Sequence, residues 1–403
     1  MHLHGCVVDA AHDGFPTDLV LPHEPATPRR TGAHDGHRGV SDPDAVVTTG
    51  SRTYRYGNDQ RAAMLWYHDH RMDYTGPMVY AGLAGLHIVR DDAEDALGLP
   101  SGARELPLVI ADRAFTDDAQ FDYPAFDPSM TTTPGVEDFA MEGVLGDVVL
   151  VNGAPWPVAE VDAARNRLRF LNASNARRYR LELDPSPPQG ASFTQIGSDG
   201  GLLASPVTHD SIPIAPAERY DVVVDFAAYP VGTRVVLRNA MARGGPGTVM
   251  AFDVVRSASD DSRVPDVLSV VEPLGRNDSV ATREFTFTRG GASGAAYWVI
   301  NGQPFDPTRM DAVVQPGTVE LWRFGTDVHH PVHVHLAHFQ VLSRGGHDPL
   351  PADVGWKDTV DVRPAEHVDV AIAFPEGYAG RYVMHCHNLE HEDMMMMSAF
   401  EVR

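Results

Sequence analysis

Short runs of alternating apolar and polar residues dominate this chain, and glycine, proline or aspartate interrupts them about every ten residues. Clear examples are RLRFLNAS (167–174), RYRLEL (178–183), RYDVVVDF (219–226), VELWRF (319–324) and GRYVMHCH (380–387). A period of two is typical of strands that bury one face. Helical periodicity is scarce, and DDAEDALGL (91–99) is the best candidate for a brief helix. The pattern predicts an all-β protein of stacked sandwiches.

Internal repeats divide the pattern into domains. The segment VNGAPWPVAEVDAARNRLRFLNAS (151–174) resembles INGQPFDPTRMDAVVQPGTVELWRFGT (300–326), because each has an Asn-Gly turn, a proline and then a strand. Linkers are expected near 91–104 and in RSASDDSRVPD (256–266). We predict three domains of one type, at residues 1–95, 104–256 and 282–403.

Composition narrows the classes of partner. The net charge of −23 argues against nucleic acid and anionic membrane surfaces. No apolar run approaches the length of a transmembrane helix. The opening MHLHGC has no secretory leader, so the chain as it stands is expected in the cytoplasm unless a leader lies upstream of Met1. We attribute the single lysine, Lys357, to codon bias.

The chain has two cysteines, Cys6 and Cys386, which excludes a disulfide framework. One bridge between them is conceivable, but Cys386 cannot join it if it binds a metal. Cys6 is then expected to be a thiol without a role.

Histidine is the residue that carries the chemistry. Ten of the 20 histidines fall in HLH (2–4), HDH (68–70), HPVHVH (330–335) and HCHNLEH (385–391). A strand presents residues i and i+2 on one face, so each His-x-His offers two imidazoles to the same side. Imidazole suits copper, zinc, iron or nickel, so the pairs do not name the metal. The predicted cluster ligands are His2, His4, His68, His70, His333, His335, His385 and His387.

The stretch around Cys386 indicates a second site. Cys386 points away from its two histidine neighbours, and His330 faces away from the pair that begins at His333. Two histidines, one cysteine and a weak axial methionine form the blue-copper arrangement. We assign His391 as the second histidine and Met396, five residues further on, as the methionine. A zinc hydrolase is the alternative, but a thiolate beside methionine suits catalytic zinc poorly.

The motifs HLHG, WYHDH, HPVHVH and HCHNLEHEDMM, in this order, resemble the multicopper oxidases over essentially the whole chain. FTQIGSDGGLL (193–203) and IAPAERYDVVVDF (214–226) resemble the middle domain of the three-domain bacterial branch of spore-coat laccases, bilirubin oxidases and phenoxazinone synthases. The resemblance implies tandem cupredoxin-like Greek-key β-sandwiches, with no copper in the middle domain. It implies four coppers, one type 1, one type 2 and two type 3.

Motif position assigns the ligands by resemblance. The type 2 copper would be held by His2 and His333. The type 3 pair would be held by His4, His68, His70, His335, His385 and His387. The type 1 copper would be held by His330, Cys386, His391 and Met396.

The resemblance also implies an incomplete first domain. Counted from residue 283, the last domain places 50 residues before His333, whereas only Met1 precedes His2. We therefore expect the leading strands of domain one to be absent, through a start codon assigned too far downstream or in a naturally shortened form.

Two acids are candidates for proton delivery. The reduction of O2 to two waters consumes four protons, so acids near the cluster are needed. The resemblance implies relay roles for Glu392, which follows a type 1 ligand, and for Asp13, in HDGFP. The alternatives are a surface glutamate and a turn-forming aspartate. Asp69 is expected to face away and to form a supporting hydrogen bond.

The expected function is the oxidation of small aromatic donors, phenols and aminophenols among them, with O2 reduced to water. A metallo-oxidase of Cu(I) or Mn(II) and a copper-holding electron-transfer protein without O2 reduction are the alternatives. The remaining histidines are not expected to bind metal; they are His12, His23, His34, His37, His87, His209, His329, His338, His347 and His367.

Overall fold

The computed structural model describes residues 1–23, 41–129, 135–290 and 298–403. Strands dominate these residues, which confirms the predicted all-β class. The α-helices are short: Ala10–Asp13, Thr75–Tyr80, Asp92–Asp95 and Leu389–Asp393. The 3-10 turns are Gly102–Arg104, Asp138–Ala140, Phe226–Ala228, Gly245–Gly247, Arg276–Asp278 and Pro351–Asp353. The helix expected in 91–99 begins where the Asp91 carboxylate accepts from the Glu94 amide at 2.7 Å.

The amino-terminal part contributes two small sheets. A three-stranded antiparallel sheet has the order His2–His4, Ala63–His68 and Ala84–Val89. A parallel pair is formed by Leu19–Leu21 and Val47–Thr49. In the first sheet His2 lies opposite His68. This register places the first two histidine pairs side by side.

The middle part forms two sheets around one apolar core. The seven-stranded sheet has the order Gly201–His209, Phe193–Ser198, Arg219–Asp225, Arg165–Asn172, Glu105–Arg113, Val148–Val151 and Ala154–Pro155. The five-stranded sheet has the order Ser211–Ile214, Tyr179–Asp184, Arg234–Asn239, Thr248–Ser257 and Val158–Ala163. Phe170, Val222 and Phe252 are fully buried between them. Tyr179–Asp184 alternates between this core and the outside, as its sequence pattern indicates, whereas Arg165–Asn172 and Arg219–Asp225 are buried on both faces.

The carboxy-terminal part repeats this plan with two five-stranded sheets. One has the order Trp298–Ile300, Ser279–Arg289, Val319–Thr326, His367–Ala373 and His338–Arg344. The other has the order Met310–Val314, Met397–Val402, Gly380–Cys386, His330–Val334 and Thr359–Val362. In the second sheet His333 lies opposite His385, and Val332 lies opposite Cys386. The last two histidine motifs are therefore neighbours in one sheet.

The Asn-Gly repeat noticed in the sequence is a repeated structural device. Asn152 and Asn301 both adopt positive φ, at 51° and 53°. The Oδ1 atom of Asn152 accepts from the Val109 amide at 2.8 Å, and that of Asn301 accepts from the Thr286 amide at 2.7 Å. Each turn is thereby fixed to an earlier strand of its own sheet, which is why the two sequences resemble each other.

The predicted strands all form, with ends that differ from prediction by one or two residues. The domain boundaries stay a prediction; the strands of the two larger parts span Glu105 to Ser257 and Ser279 to Val402. Among the described residues, no helix has the length and apolar character that a membrane crossing requires.

Candidate metal centres

The eight paired histidines meet in one buried place where the first and last parts of the chain touch. None is more than 1% exposed. Their nitrogens form three local groups, each with atoms within 4.8 Å of one another. The groups are His4, His68 and His387; His70, His335 and His385; and His2 with His333 and His4. The predicted convergence is therefore present.

The pairs differ from prediction in how strands present them. Only His2 and His4 both lie within a strand, His2–His4. In the other three pairs the first histidine lies in a strand, whereas the second follows the strand's last residue, as His70 follows Ala63–His68. The second imidazole is placed by a loop, so strand alternation alone does not account for the convergence.

His2 and His333 face each other across the cluster. Their Nε2 atoms are 3.4 Å apart. Each Nδ1 lies 2.9 Å from a backbone carbonyl oxygen, that of Asp13 for His2 and that of Asp358 for His333. A protonated Nδ1 donates to such an oxygen and leaves the Nε2 lone pair free for a metal.

His4 is oriented the opposite way. Its Nε2 contacts Asp358 Oδ1 at 3.0 Å and Thr359 Oγ1 at 3.2 Å, while its Nδ1 is buried without a hydrogen-bond partner. His68 has Nδ1 at 2.7 Å from the Asp69 carbonyl oxygen and a buried, unpartnered Nε2. Asp69 thus supports His68 through its backbone. Both nitrogens of His387 are buried without hydrogen-bond partners.

The third group is held by the two predicted acids. The Nε2 atoms of His70 and His335 each lie 3.2 Å from Nε2 of His385. Asp13 Oδ2 is 2.7 Å from His335 Nδ1, and Glu392 Oε2 is 3.1 Å from His385 Nδ1. Both acids are buried, at 2% and 1% exposure. The alternative interpretation of Glu392 as an ordinary surface glutamate is therefore wrong.

Burial sets the protonation of the cluster. Desolvation lowers the pKa of His335 to about 3 and holds the pKa of His4 and His68 well below the ordinary value. These three imidazoles are therefore neutral at pH 7, the form that binds metals. Burial opposes ionisation of Asp13, but His335 and His2 outweigh it and lower the pKa of Asp13.

A separate group surrounds Cys386. Its Sγ lies 3.3 Å from His330 Nδ1 and 3.6 Å from His391 Nδ1, and these two nitrogens are 3.1 Å apart. None of the three residues is more than 2% exposed. Cys386 and His330 thus face away from the histidine cluster, as predicted. Burial raises the pKa of Cys386, so a thiolate here requires a cation beside it.

Met396 lies in the same buried core as Cys386 and is itself fully buried. Its carbonyl oxygen accepts from the Cys386 amide at 3.1 Å, and its amide donates to the His391 carbonyl at 3.0 Å. Its role as axial ligand stays a prediction. Sequence reasoning missed Trp298, whose ring stacks on His391 at 3.8 Å between centroids.

Sequence reasoning also missed a buried charge network behind the cluster. Asp358 accepts from both terminal nitrogens of Arg219, at 2.7 and 2.6 Å. The Arg219 amide donates to Asp199 at 2.7 Å, and Lys357 Nζ lies 3.1 Å from Asp199 and 3.2 Å from Glu218. The one signal in the sequence was that the only lysine directly precedes Asp358. Codon bias explains why lysine is rare in this chain, but it does not explain why the one lysine is at this position.

Other expectations were tested in part. Cys6 and Cys386 are both free thiols, so the conceivable bridge is wrong, and burial raises the pKa of Cys6 to about 12. Among the described residues, no group of three His, Cys, Asp or Glu side chains that could hold a metal ion lies within 104–256. None of these groups contains a histidine that was not expected to bind metal. Of those histidines, His34 and His37 lie outside the described residues.

The donor sets fit metal ions. Buried nitrogens without protein partners cost free energy, and those of His4, His68 and His387 aim into one space. All-imidazole groups suit copper, and a buried thiolate between two imidazoles is a soft site typical of blue copper. The residues present therefore fit copper at both centres.

Comparison with known proteins agrees. A family model described as multicopper oxidase matches residues 276–403, and a second matches 26–94. A laccase of Bacillus subtilis (strain 168) is 38% identical, spanning 100% of this chain and 79% of the laccase. A bilirubin oxidase of Albifimbria verrucaria is 35% identical, spanning 99% of this chain and 66% of the relative. A multi-copper oxidase from Pediococcus acidilactici superposes with a TM-score of 0.81 at 31% identity, covering 100% and 76% of the two chains.

The fold, the buried imidazole groups and these similarities define an oxidase with cupredoxin-like domains. The chain belongs to the multicopper oxidase family. Membership implies copper as cofactor, with oxygen and an organic molecule as substrates.

Proposed function

We propose that this chain is a laccase-like oxidase holding four copper ions at the two centres. The carrying observation is that the paired histidines form three local groups around one buried space, with His4 common to two of them, and that the Cys386 group lies beside it. His4, His68 and His387 would hold one type 3 ion. His70, His335 and His385 would hold the other.

The remaining ions follow from the same geometry. His2 and His333 would hold the type 2 ion through their facing Nε2 atoms. His330, Cys386 and His391 would hold the type 1 ion. Met396, which is buried in the same core, would be its weak fourth ligand. When bound, copper would supply one-electron oxidation of the donor and four-electron reduction of O2 to water.

The chain's own residues would orient the imidazoles and hold protons beside them. Hydrogen bonds that the imidazoles donate to carbonyl and carboxylate oxygens fix which nitrogen each of these imidazoles presents. Asp13 and Glu392 contact the same histidine group from two sides, so both can hold a proton beside it. His385, Cys386 and His387 are consecutive, so one short peptide joins the two centres.

The donor is proposed to be a small phenol, aminophenol or related aromatic. The laccase and bilirubin oxidase relatives support an organic donor. The methionines expected near the Cys386 group, Met394 to Met397, are at most 8% exposed and so present no thioether surface to an incoming metal ion. This favours an organic donor over Cu(I), the ion that thioether sulfur binds.

The test is copper content per purified chain, with the visible spectrum and O2 consumption on a phenolic donor. We expect close to four coppers, an intense blue band and O2 uptake without peroxide. Cys386→Ser should lose the blue band and one copper, whereas the control Cys6→Ser should lose neither. One copper and no O2 uptake would favour the electron-transfer alternative.

A further inference from the structure

A group of thioether and aromatic side chains, here called the methionine cluster, lies beside the histidine cluster. Its buried members include Met72, Met395, Met397, Phe15 and Phe305, and the partly buried Met310 packs against them. Four of the 14 methionines of the chain therefore meet at one place. Met396, the proposed fourth ligand of the type 1 ion, is not among them. The proposed function thus gives this group of side chains no role.

The run of four methionines at 394–397 divides between two sides of the last part. Met394 and Met396 belong to the larger core of the last part, whereas Met395 and Met397 belong to the methionine cluster. All four side chains are at most 8% exposed. Neighbours in the sequence therefore have similar burial but different surroundings, which makes Met394 an internal control for Met395.

The methionine cluster adjoins the histidine cluster at two points. Met397 lies directly opposite His385 on the neighbouring antiparallel strand, so the two side chains point to the same face of the sheet. Met72 follows the ligand candidate His70 by two residues. Phe15 and His70 both line a cavity of about 190 Å³, which has room for several molecules of the size of water. A small molecule that leaves the histidine cluster on this side is therefore next to the methionine cluster.

Met395 occupies a position where a long side chain is unfavourable. The helix Leu389–Asp393 is followed by Met394 and then by Met395, whose φ is 82°. Glycine or asparagine is usual at this left-handed position after a helix, because other side chains are strained there. The backbone therefore gives no reason for a methionine at this position, and the reason must lie in its side chain.

We propose that Met72, Met395 and Met397 form a sacrificial shield that reduces hydrogen peroxide escaping from the histidine cluster. The proposal rests on the proposed function, because a turnover that stops after two electrons and two protons converts O2 to H2O2. The thioether sulfur attacks the peroxide, an S–O bond forms and the O–O bond breaks. Sulfur is oxidised by two electrons to a sulfoxide, and the second oxygen leaves as water.

Peptide mass spectrometry locates the oxidation. The copper-loaded full chain oxidises a phenolic donor in air, with catalase present to destroy peroxide in the bulk solution. We expect sulfoxide at Met72, Met395 and Met397 to accumulate with the number of turnovers and to exceed that at Met394 several-fold. Resting enzyme treated with added H2O2 should show the opposite order, with Met241, which is 56% exposed, oxidised first.

The shield should also lengthen the working life of the enzyme. Met72→Leu combined with Met395→Leu keeps volume and apolar character while it removes two thioethers. We expect this double variant to keep its initial rate, copper content and blue band, but to lose activity after several-fold fewer turnovers. The matched control is Met394→Leu, the same change at the adjacent position, and it should have the working life of the unsubstituted chain.

The outcomes separate the two claims. If the donor drives no O2 uptake, the proposed function fails and the shield is rejected with it. If O2 is consumed but sulfoxide in the methionine cluster is absent or equals that at Met394, the shield is overturned while the oxidase stands. An equal working life of the double variant and the unsubstituted chain likewise overturns it. If the double variant fails to bind copper, the positions of sulfoxide in the unsubstituted chain decide.

Discussion

Lys357 and Asp199 form an ion pair that is wholly shut off from solvent, with Nζ 3.1 Å from Oδ2 and both side chains at 0% exposure. Asp199 also accepts from the amides of Asp358 and Thr359, each at 3.3 Å. The pair therefore ties a turn of the middle part to the segment that contacts His4 and His333. The only lysine of the chain lies at this junction.

Replacing this lysine should be costly. Lys357→Met leaves Asp199 and Glu218 buried without their cation, and loss of one partner of a buried pair costs about 3–5 kcal/mol. We expect a lower midpoint of thermal unfolding and loss of copper on dilution. The matched control is Arg234→Met, which removes an exposed cation and should change stability by about 0.5 kcal/mol or less. If Lys357→Met and Arg234→Met lowered the unfolding midpoint equally, the stabilising role of the buried Lys357 ion pair would be contradicted.

Glu218 should make stability depend on pH. Burial, partly opposed by Lys357, raises the pKa of Glu218 from 4.5 to about 7. A carboxyl with a higher pKa in the folded chain binds more protons when folded, so its stabilising contribution is full below pH 4.5 and is lost as pH rises towards 7.

We therefore expect the stability of the unsubstituted chain relative to Glu218→Gln to fall between pH 5 and pH 7, measured as the difference in urea midpoints. Glu160→Gln, at an exposed position, should give a difference that does not change over this window. A difference that stays constant or rises with pH would contradict a raised pKa of Glu218 in the folded chain.

Asp358 should govern metal affinity without touching metal. Its Oδ1 contacts His4 Nε2 at 3.0 Å and fixes which nitrogen His4 presents. Loss of such a supporting group lowers metal affinity about 10–100-fold. We expect Asp358→Asn to lose copper to a competing chelator correspondingly faster, with the blue band retained. Asp253→Asn, which breaks an exposed aspartate–arginine pair, serves as the control and should retain its copper.

Glu392 should affect the O2 half-reaction and not the donor half-reaction. Its carboxylate lies 3.1 Å from His385, on the cluster side of Cys386. Removal of a proton-transferring group slows such a step about 10²–10⁴-fold. For Glu392→Gln we expect slow reoxidation of the reduced enzyme by O2 in stopped-flow measurements, with an unchanged rate of anaerobic bleaching by the donor. Glu401→Gln is the control and should leave both rates unchanged. Slower anaerobic bleaching in Glu392→Gln would contradict a role of Glu392 confined to O2 reduction.

The strands could be predicted from the sequence because the alternation that marks a strand involves only neighbouring residues. Tyr179–Asp184 alternates between one core and the outside, so its period-two burial is written into consecutive residues. Arg165–Asn172 alternates in residue type but is buried on both faces, because Arg167 and Arg169 pair with acids on the outer face. The opposite faces of His330 and His333 followed from an odd offset on one strand, His330–Val334. The Asn-Gly repeat was visible because the same turn needs the same residues at positive φ.

Other features could not be predicted, because they join residues far apart in the chain. His4 meets Asp358 across 354 positions, and Arg219 meets Asp358 across 139. Neither Asp358 nor Arg219 has a spacing that distinguishes it from an ordinary charged residue. Codon usage seemed a sufficient explanation for Lys357, because nothing local indicates that its side chain is buried.

The sequence by itself determined the class of fold, the histidines and cysteine that form the two centres, and the side of the strand on which each first ligand lies. Tertiary structure decided how the eight histidines divide, which nitrogen each presents and which charges stand behind them. The physical reason is that side-chain direction along a strand is set by backbone geometry. Orientation of an imidazole is set by the partner of its other nitrogen, and here that partner often comes from a distant part of the chain.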